Sequence, residues 1–265
     1  MILRRWKAAV TLAAALLGLS TLSTGVAAAA DAAALDYVAL GDSYSSGVGA
    51  GSYDGSDCRR SANAYPELWN AANAPASFAF TACSGAITTD VTSNQLGPLN
   101  SGTDLVSISI GGNDAGFADT MTVCVALGES ACLAAVEDAR DYINNTLPGR
   151  LDAVYDAIRS RAPNAQVVVL GYPRMYKING TCSFGISETS RAAINSASDD
   201  LNTVTSKRAA NHGFSYGDMR PAFTGHEICS GDRWLHSTTW PVWESYHPTA
   251  NGQSQAYYPV MESLA

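Results

Sequence analysis

The sequence predicts an α/β fold of three layers, with helices on both faces of a central parallel sheet. Short apolar runs rich in β-branched residues alternate with long helical patterns, and this alternation is typical of parallel sheets. Three of the apolar runs lead directly into polar loops that contain glycine, as expected at the carboxyl ends of parallel strands. The chain has 265 residues, of which 46% are hydrophobic, and this excludes a mainly disordered protein.

Five segments are predicted strands. The clearest is Gln166–Leu170, a glutamine followed by three valines and a leucine, whose length suits a buried strand. The other four are residues 35–40, 78–81, 105–110 and the short segment 214–216.

Helical patterns cover residues 64–72, 131–161, 187–211 and about 251–264. Pro148 must break or kink the second of these, because proline lacks the amide hydrogen and clashes with the preceding turn. After residue 30 the chain contains no repeat, linker or low-complexity tract. We therefore expect a single domain over residues 31–265.

The first thirty residues have the three-part pattern of a secretory signal. Arg4, Arg5 and Lys7 precede an uncharged run over 8–30, which ends in small residues. A membrane anchor is the alternative, because an apolar run of ~20 residues can span a bilayer. The alanine-rich end favours cleavage near residue 30, and hence a secreted protein.

The net negative charge of the chain argues against nucleic acid and anionic lipid as partners. The chain has 16 basic and 24 acidic residues, a net charge of −8; loss of the three basic residues of the signal leaves 13 against 24, or −11. Such a surface excludes a protein that binds nucleic acid through its phosphates, and it is not attracted to anionic lipid. Beyond the signal, no stretch is long and apolar enough to form an integral membrane segment.

Six cysteines in an exported chain are expected to form disulfides. Fifteen pairings are possible, and the sequence alone does not choose among them. Pairing in chain order gives Cys58–Cys83, Cys124–Cys132 and Cys182–Cys229. These segments are rich in turn residues, so we expect the bridges to clamp loops. A metal site is not expected, because there is no C-x-x-C motif and the four histidines lack ligand spacing.

Ser43 is a candidate nucleophile. It lies two residues beyond the first predicted strand, in a turn that Gly41 makes possible. A serine hydroxyl needs a neighbouring base before it can attack a carbonyl. The alternative is that Asp42 and Ser43 only cap the next segment.

Gly85 and Asn113 follow two further strands and are candidate oxyanion donors. A tetrahedral intermediate needs several donors directed at its negative oxygen, and the amides of Ser43 and Gly85 with the side chain of Asn113 supply three. A tight turn at Gly85 and an Asx-turn at Asn113 are the alternative explanations. Three such loops at three strand ends favour a site.

His247 is the candidate base, because imidazole titrates near neutral pH, and Pro248 restricts its backbone to an extended conformation. Among the other histidines, His212 falls at a predicted helix end, where a contact with a carbonyl or the helix dipole is the usual explanation. His226 and His236 are expected to be surface residues near Cys229.

A second serine motif competes with Ser43. Residues 213–217 read Gly-Phe-Ser-Tyr-Gly, which matches the G-x-S-x-G elbow around Ser215. That motif needs a strand before the serine and a helix after it. Here a helical pattern precedes it and the segment itself resembles a strand, so the context is reversed.

Taken together, the motifs resemble the four blocks of the GDSL/SGNH hydrolases, and they occur in that family's order: Gly41-Asp42-Ser43, Gly85, Gly111-x-Asn113-Asp114 and His247-Pro248. Residues 171–174, 224–229 and 245–249 resemble the secreted actinomycete (Streptomyces-type) lipases and phospholipases A1 of that family. The resemblance implies a flavodoxin-like fold and a serine esterase that needs no cofactor. Ser43 would be the nucleophile and an amide donor, Gly85 and Asn113 the other oxyanion donors, and His247 the base.

Two positions depart from that family's pattern. Tyr44 replaces the leucine of the family name, which we interpret as a change in packing. The family usually places an aspartate three residues before the histidine, and Glu244 occupies that position. In similar members a backbone carbonyl orients the ring, and the matching group here is the carbonyl of Ser245. We expect Ser245 rather than Glu244 to orient His247.

The predicted function is hydrolysis of lipid esters, including glycerides or phospholipids, through an acyl-enzyme on Ser43. Removal of acetyl groups from polysaccharide by the same site is one alternative, and a non-catalytic secreted binding module is another. Aromatic residues near the C-terminus are candidates to line an acyl groove: Trp240, Trp243, Tyr246, Tyr257 and Tyr258.

Overall fold

Five parallel strands form one sheet in the computed structural model, which describes residues 35–265. The strands are β1 (Asp36–Gly41), β2 (Ser77–Phe80), β3 (Leu105–Ser109), β4 (Gln166–Leu170) and β5 (Ser215–Gly217). Their order across the sheet is β2-β1-β3-β4-β5, and every neighbouring pair is parallel. All five predicted strands are confirmed, with bounds that differ by at most one residue.

The helices are α1 (Ser43–Ser46), α2 (Tyr65–Asn73), α3 (Thr88–Asp90), α4 (Phe117–Ala126), α5 (Glu129–Asn145), α6 (Leu147–Arg161), α7 (Glu188–Asn211), α8 (Met219–Ala222), α9 (Ala250–Gly252) and α10 (Tyr258–Glu262). Shorter helical turns of π or 3-10 type cover Val91–Gln95, Val242–Glu244 and Gln253–Tyr257.

Most helices follow the sequence prediction. The long pattern over 131–161 separates into α5 and α6, and Pro148 lies in the first turn of α6, where its missing amide hydrogen costs no helical hydrogen bond. The predicted last helix is interrupted by the π turn Gln253–Tyr257. Helix α4 was not predicted.

Two groups of helices cover the sheet, which gives the predicted three-layer α/β/α fold. On one face Tyr37 of β1 contacts α2: its ring lies 4.9 Å from that of Trp69, and its hydroxyl is 2.7 Å from Ser107 of β3. Helix α10 packs against α2 on this face. On the other face α5, α6 and α7 pack against one another. Because side chains alternate along a strand, each strand contributes to both cores.

Three disulfides are present, and they pair the cysteines in chain order: Cys58–Cys83, Cys124–Cys132 and Cys182–Cys229. The first and third join loops, as expected. The second joins α4 to α5, so the expectation that every bridge clamps loops was wrong there. The reason is that Cys124 lies on the unpredicted helix.

The predicted secretory signal over residues 1–30 lies outside the residues that the structure describes. Within residues 35–265, every helix is too short or too polar to cross a bilayer.

Candidate active site

Ser43 lies at the carboxyl end of β1, where the strand turns into α1. Gly41 has a φ of +125°, and a Cβ at that position would lie 2.5 Å from the Ser109 carbonyl oxygen, so this turn requires glycine. The buried Gln95 side chain binds both the amide and the carbonyl of Gly41, at 2.7 and 2.9 Å. Asp42 caps α1 by accepting a hydrogen bond from the Tyr44 amide at 2.9 Å. The Ser43 backbone is therefore fixed from both sides.

The hydroxyl of Ser43 meets an imidazole from the other end of the chain. Its Oγ lies 2.8 Å from Nε2 of His247, the contact that was predicted from the order of the motifs. Two further hydrogen bonds hold the histidine loop in place. Tyr44 donates its hydroxyl to the Tyr246 carbonyl at 2.7 Å, and the His236 amide donates to the His247 carbonyl at 2.9 Å. Tyr44 thus contributes a hydrogen bond between the two loops as well as packing.

The other ring nitrogen of His247 faces a backbone carbonyl rather than a carboxylate. Nδ1 lies 3.0 Å from the carbonyl oxygen of Ser245. The carboxylate of Glu244 instead accepts a hydrogen bond from the Tyr53 hydroxyl at 2.6 Å, and that hydroxyl accepts one from the Gly49 amide at 2.9 Å. Of the two predicted orienting groups, only the Ser245 carbonyl contacts the ring. A bond from Nδ1–H to this carbonyl leaves Nε2 as the acceptor facing Ser43.

Burial of the His247 ring lowers its pKa from 6.5 to about 4, because the charged form loses solvation. The hydrogen bond to the Ser245 carbonyl acts in the opposite direction and is the weaker effect, while the positive charge of Arg59 is a smaller contribution to the lowering. The ring is therefore neutral at pH 7, which is the form that can accept a proton.

The three predicted oxyanion donors, Ser43, Gly85 and Asn113, line the same cleft as His247. In the part of the chain that the structure describes, no backbone or side-chain acceptor receives a hydrogen bond from the amide of Ser43 or of Gly85. Gly85 has a φ of +80° with open space where a Cβ would stand. The Asn113 side chain donates one hydrogen to the Ala86 carbonyl at 3.0 Å, which leaves its second amide hydrogen free.

The loop that carries Asn113 is tied to the Gly85 segment. Asp114 accepts hydrogen bonds from the Thr88 amide at 3.0 Å and from the Thr88 hydroxyl at 2.6 Å. These bonds fix the spacing of two of the three candidate donors. Preorganised donors of this kind stabilise developing negative charge at little cost in reorganisation.

A buried tyrosine, which sequence reasoning missed, connects the turn of the candidate nucleophile to the loop of the candidate oxyanion donor Asn113. Tyr172 donates its hydroxyl to Asp42 at 2.5 Å and accepts a hydrogen bond from the Gly112 amide at 3.3 Å. Burial raises the pKa of Asp42 to about 7, and the hydrogen bond from Tyr172 partly offsets this rise. Tyr172 lies in the Gly-Tyr-Pro-Arg stretch that the sequence analysis singled out only as a family likeness.

The cleft at Ser43 is open and has a volume of about 410 Å³; among residues 35–265, it is lined by uncharged side chains and His247. Helix α4 contributes Phe117, Met121 and Val125 to the lining, which also includes Trp243 and Tyr246. Of the predicted aromatic lining, these two residues are confirmed. The expectation was wrong for the other three: Trp240 is 88% exposed and Tyr257 is buried in the core, and Tyr258 packs against the same core.

The competing serine motif lies elsewhere. Ser215 is the first residue of β5, and α7 precedes it, so the reversed context is confirmed. His212, next to this motif, lies 2.8 Å from the Arg208 carbonyl and 3.2 Å from Asp156. Within residues 35–265, Ser215 has no hydrogen bond to an imidazole.

The remaining histidines, His226 and His236, lie in surface loops. His226 stacks on Trp234 with ring centroids 3.5 Å apart, and His236 lies 2.8 Å from the Gly49 carbonyl. Both are partly exposed, and the surface loops that carry them pack against one another. Among residues 35–265, no group of three His, Cys, Asp or Glu side chains is arranged to hold a metal ion.

A serine–histidine contact at the carboxyl edge of a parallel sheet, beside amides directed into an apolar cleft, is characteristic of three-layer α/β/α serine hydrolases. Comparison with known proteins agrees with this class. Residues 39–255 match the GDSL-like lipase/acylhydrolase family. The chain belongs to that family, and it is a carboxylic-ester hydrolase.

Similar proteins come from Streptomyces. The crystal structure of an extracellular lipase from Streptomyces rimosus is 67% identical and covers 88% of this chain and 100% of its own, with a TM-score of 0.86. That of phospholipase A1 from Streptomyces albidoflavus NA297 is 64% identical with the same coverage and TM-score. Lipase 1 of Streptomyces coelicolor is 63% identical over 255 residues, 95% of this chain and 93% of its own.

Proposed function

We propose that this protein is a secreted hydrolase of lipid esters that works through an acyl-enzyme on Ser43. The observation that carries the proposal is the 2.8 Å contact between Ser43 Oγ and His247 Nε2 inside an apolar cleft that also holds the three candidate oxyanion donors. A catalytically silent binding module would have no need of this combination.

In the first half of the reaction His247 removes the proton of Ser43 as its oxygen attacks the ester carbonyl. The carbonyl oxygen becomes negative, and the amides of Ser43 and Gly85 and the side chain of Asn113 donate hydrogen bonds to it. The intermediate then collapses. Its alcohol leaves with the proton held by His247, and the acyl group remains on Ser43.

In the second half a water molecule takes the position of the alcohol. His247 removes its proton, the hydroxide attacks the acyl carbonyl, and the acid leaves as Ser43 recovers its proton. The Ser245 carbonyl holds the ring through both steps by fixing its tautomer. Unlike a carboxylate, it does not neutralise the imidazolium that forms, so the surrounding dipoles must stabilise that charge.

Lipid esters suit this cleft best. Its walls are apolar, so a long acyl chain gains free energy by leaving water. The relatives at more than 60% identity are named lipases and a phospholipase A1, which favours lipid over polysaccharide acetyl esters. The three disulfides and the extracellular S. rimosus relative support secretion, with residues 1–30 as the signal and residues 31–265 as one catalytic domain.

The test is a substrate panel given to the purified protein and to two variants. Trioleoylglycerol, phosphatidylcholine and acetylated xylan separate the lipid hydrolase, the acetylesterase and the binding module. We expect hydrolysis of lipid but not of xylan, loss of activity in Ser43→Ala, and retention of activity in the matched variant Ser215→Ala. Activity in Ser43→Ala equal to that of the wild type would refute the proposal, as would release of acetate alone.

A further inference from the structure

One cationic side chain lies at the rim of the otherwise uncharged cleft. The guanidinium carbon of Arg59 is 4.4 Å from the ring centroid of Trp243, and Nη1 donates to the Ser84 hydroxyl at 3.4 Å. Both of these partners line the cleft. Ser84 directly precedes the candidate oxyanion donor Gly85, so Arg59 lies one contact away from the reacting centre.

This arginine has no carboxylate partner, unlike its neighbour. Within residues 35–265, no Asp or Glu oxygen forms an ion pair with Arg59, whereas Arg60 pairs with Asp54 at 3.1 Å. Glu244, which is close to the same tryptophan in the chain, is bound to the Tyr53 hydroxyl. In a chain with 24 acidic and 16 basic residues, an unpaired arginine beside an uncharged cleft is a specific source of positive potential.

The backbone holds Arg59 in position. Its φ is +51°, a left-handed conformation that costs free energy in any residue with a side chain and persists where the surroundings enforce it. The preceding Cys58 is bonded to Cys83, and Ser61 pairs with Tyr53 in an antiparallel bridge. Strained residues of this kind are concentrated at ligand sites.

The guanidinium is arranged to bind an anion. It lies over the Trp243 ring, and within residues 35–265 its N–H groups donate only to the Ser84 hydroxyl. Those groups form a planar fork that matches two oxygens of a phosphate. Contact with the indole restricts the side chain, so that less side-chain entropy is lost on binding.

We propose that Arg59 binds the phosphodiester of a glycerophospholipid while the ester next to it lies at Ser43. The inference rests on the proposed function, and it specifies the lipid as one with a phosphate joined to the glycerol that carries the scissile ester. The acyl chain lies along the apolar wall of α4. The glycerol spans the distance between the oxyanion donors and the arginine.

Two lipids with identical acyl chains test the proposal. Dioleoylphosphatidylcholine and dioleoylglycerol, presented in the same neutral detergent micelles, differ only in the phosphate headgroup. In Arg59→Gln, we expect the ratio of kcat/KM for the phospholipid over that for the diacylglycerol to fall about tenfold or more, mainly through KM, because charge-assisted hydrogen bonds to the phosphate are lost. The matched variant Arg60→Gln should leave this ratio unchanged.

An unchanged ratio in Arg59→Gln overturns the proposal, and so does an equal loss on both lipids, which would assign Arg59 only a role in packing. A wild type that hydrolyses the diacylglycerol but not the phospholipid overturns it as well.

A titration separates this inference from the proposed function. Dihexanoylphosphatidylcholine, which is soluble, is added to Ser43→Ala and to the double variant Ser43→Ala/Arg59→Gln in a calorimeter. We expect the dissociation constant to rise about tenfold or more in the double variant. Equal dissociation constants, or absence of binding to Ser43→Ala, refute the phosphate site. A wild type that hydrolyses neither lipid refutes the proposed function, and the titration then decides whether Arg59 binds the phosphate.

Discussion

Replacement of Glu244 by glutamine distinguishes two ways of orienting the imidazole of His247. Glu244 stands at the position where a triad acid is expected, yet its Oε1 accepts a hydrogen bond from the Tyr53 hydroxyl at 2.6 Å. Nδ1 of His247 instead lies 3.0 Å from the Ser245 carbonyl oxygen. Because the ring does not use the carboxylate, we expect Glu244→Gln to retain kcat/KM within about threefold, a margin of less than 1 kcal/mol in activation free energy.

The two explanations predict very different losses of activity in Glu244→Gln. Loss of a triad aspartate lowers kcat by about 10⁴-fold, or about 5 kcal/mol of activation free energy. In this structure the substitution removes a charge but leaves an amide oxygen for the Tyr53 hydroxyl. The free energy of unfolding then falls by the difference between a charge-assisted and a neutral hydrogen bond, about 1 kcal/mol. In a domain of this size, that loss lowers Tm by about 2–4 °C.

The assay is hydrolysis of a soluble chromogenic ester, followed together with thermal unfolding. Tyr53→Phe is the matched variant, because it removes the same hydrogen bond from its donor side. Both variants should lose stability and keep most of their activity. A loss near 10⁴-fold in Glu244→Gln with little loss in Tyr53→Phe would show that the carboxylate orients the ring, and the assignment to the Ser245 carbonyl would be wrong.

Three further predictions concern the same site. The kcat/KM for a neutral ester should hold down to about pH 5 and reach half its maximum near the His247 pKa of about 4, because below that pKa the base carries a proton. Asn113→Ala should lower kcat by about 10²–10³-fold with little change in KM, as for other oxyanion donors. Tyr172→Phe should lower kcat severalfold and destabilise the fold by about 1–3 kcal/mol, since it leaves an Asp42 oxygen without its donor. The matched variant is Tyr155→Phe, whose buried hydroxyl has no hydrogen-bond partner within residues 35–265.

Specific outcomes would contradict each of these. A fall of kcat/KM to half its maximum near pH 6.5 would show that burial does not lower the pKa of His247. A change in KM alone for Asn113→Ala would assign that residue to substrate binding rather than to the oxyanion. Equal effects of Tyr172→Phe and Tyr155→Phe would mean that the bridge between Asp42 and Gly112 does not position the site.

The sheet was predictable because its signals are local. Buried strands need runs of β-branched residues, and those runs place every strand within one residue of its position. Helix α4 was missed, although Phe117, Met121 and Val125 recur at a spacing of four residues that predicts a helix face. Glycines flank it at both ends, and Cys124 was assigned to a disulfide between loops. The weaker helical signal was therefore outweighed by turn signals.

The site was predictable only in part. The motif blocks predicted the candidate residues Ser43, Gly85, Asn113 and His247, which line one cleft, because each follows a recognisable strand end or carries a characteristic residue. Hydrogen bonds between residues far apart in the chain leave no such local signal. The bridge from Tyr172 to Asp42 spans 130 positions, and no local pattern marks a tyrosine that will meet a buried carboxylate.

Covalent labelling tests the central claim most directly. The purified protein is treated with a fluorophosphonate, which reacts with activated serines, and the modified peptide is identified by mass spectrometry. We predict one adduct, on the peptide that contains Ser43, with labelling abolished in Ser43→Ala and slowed by orders of magnitude in His247→Ala. An adduct on Ser215, or labelling of Ser43 at the same rate without His247, would contradict the account.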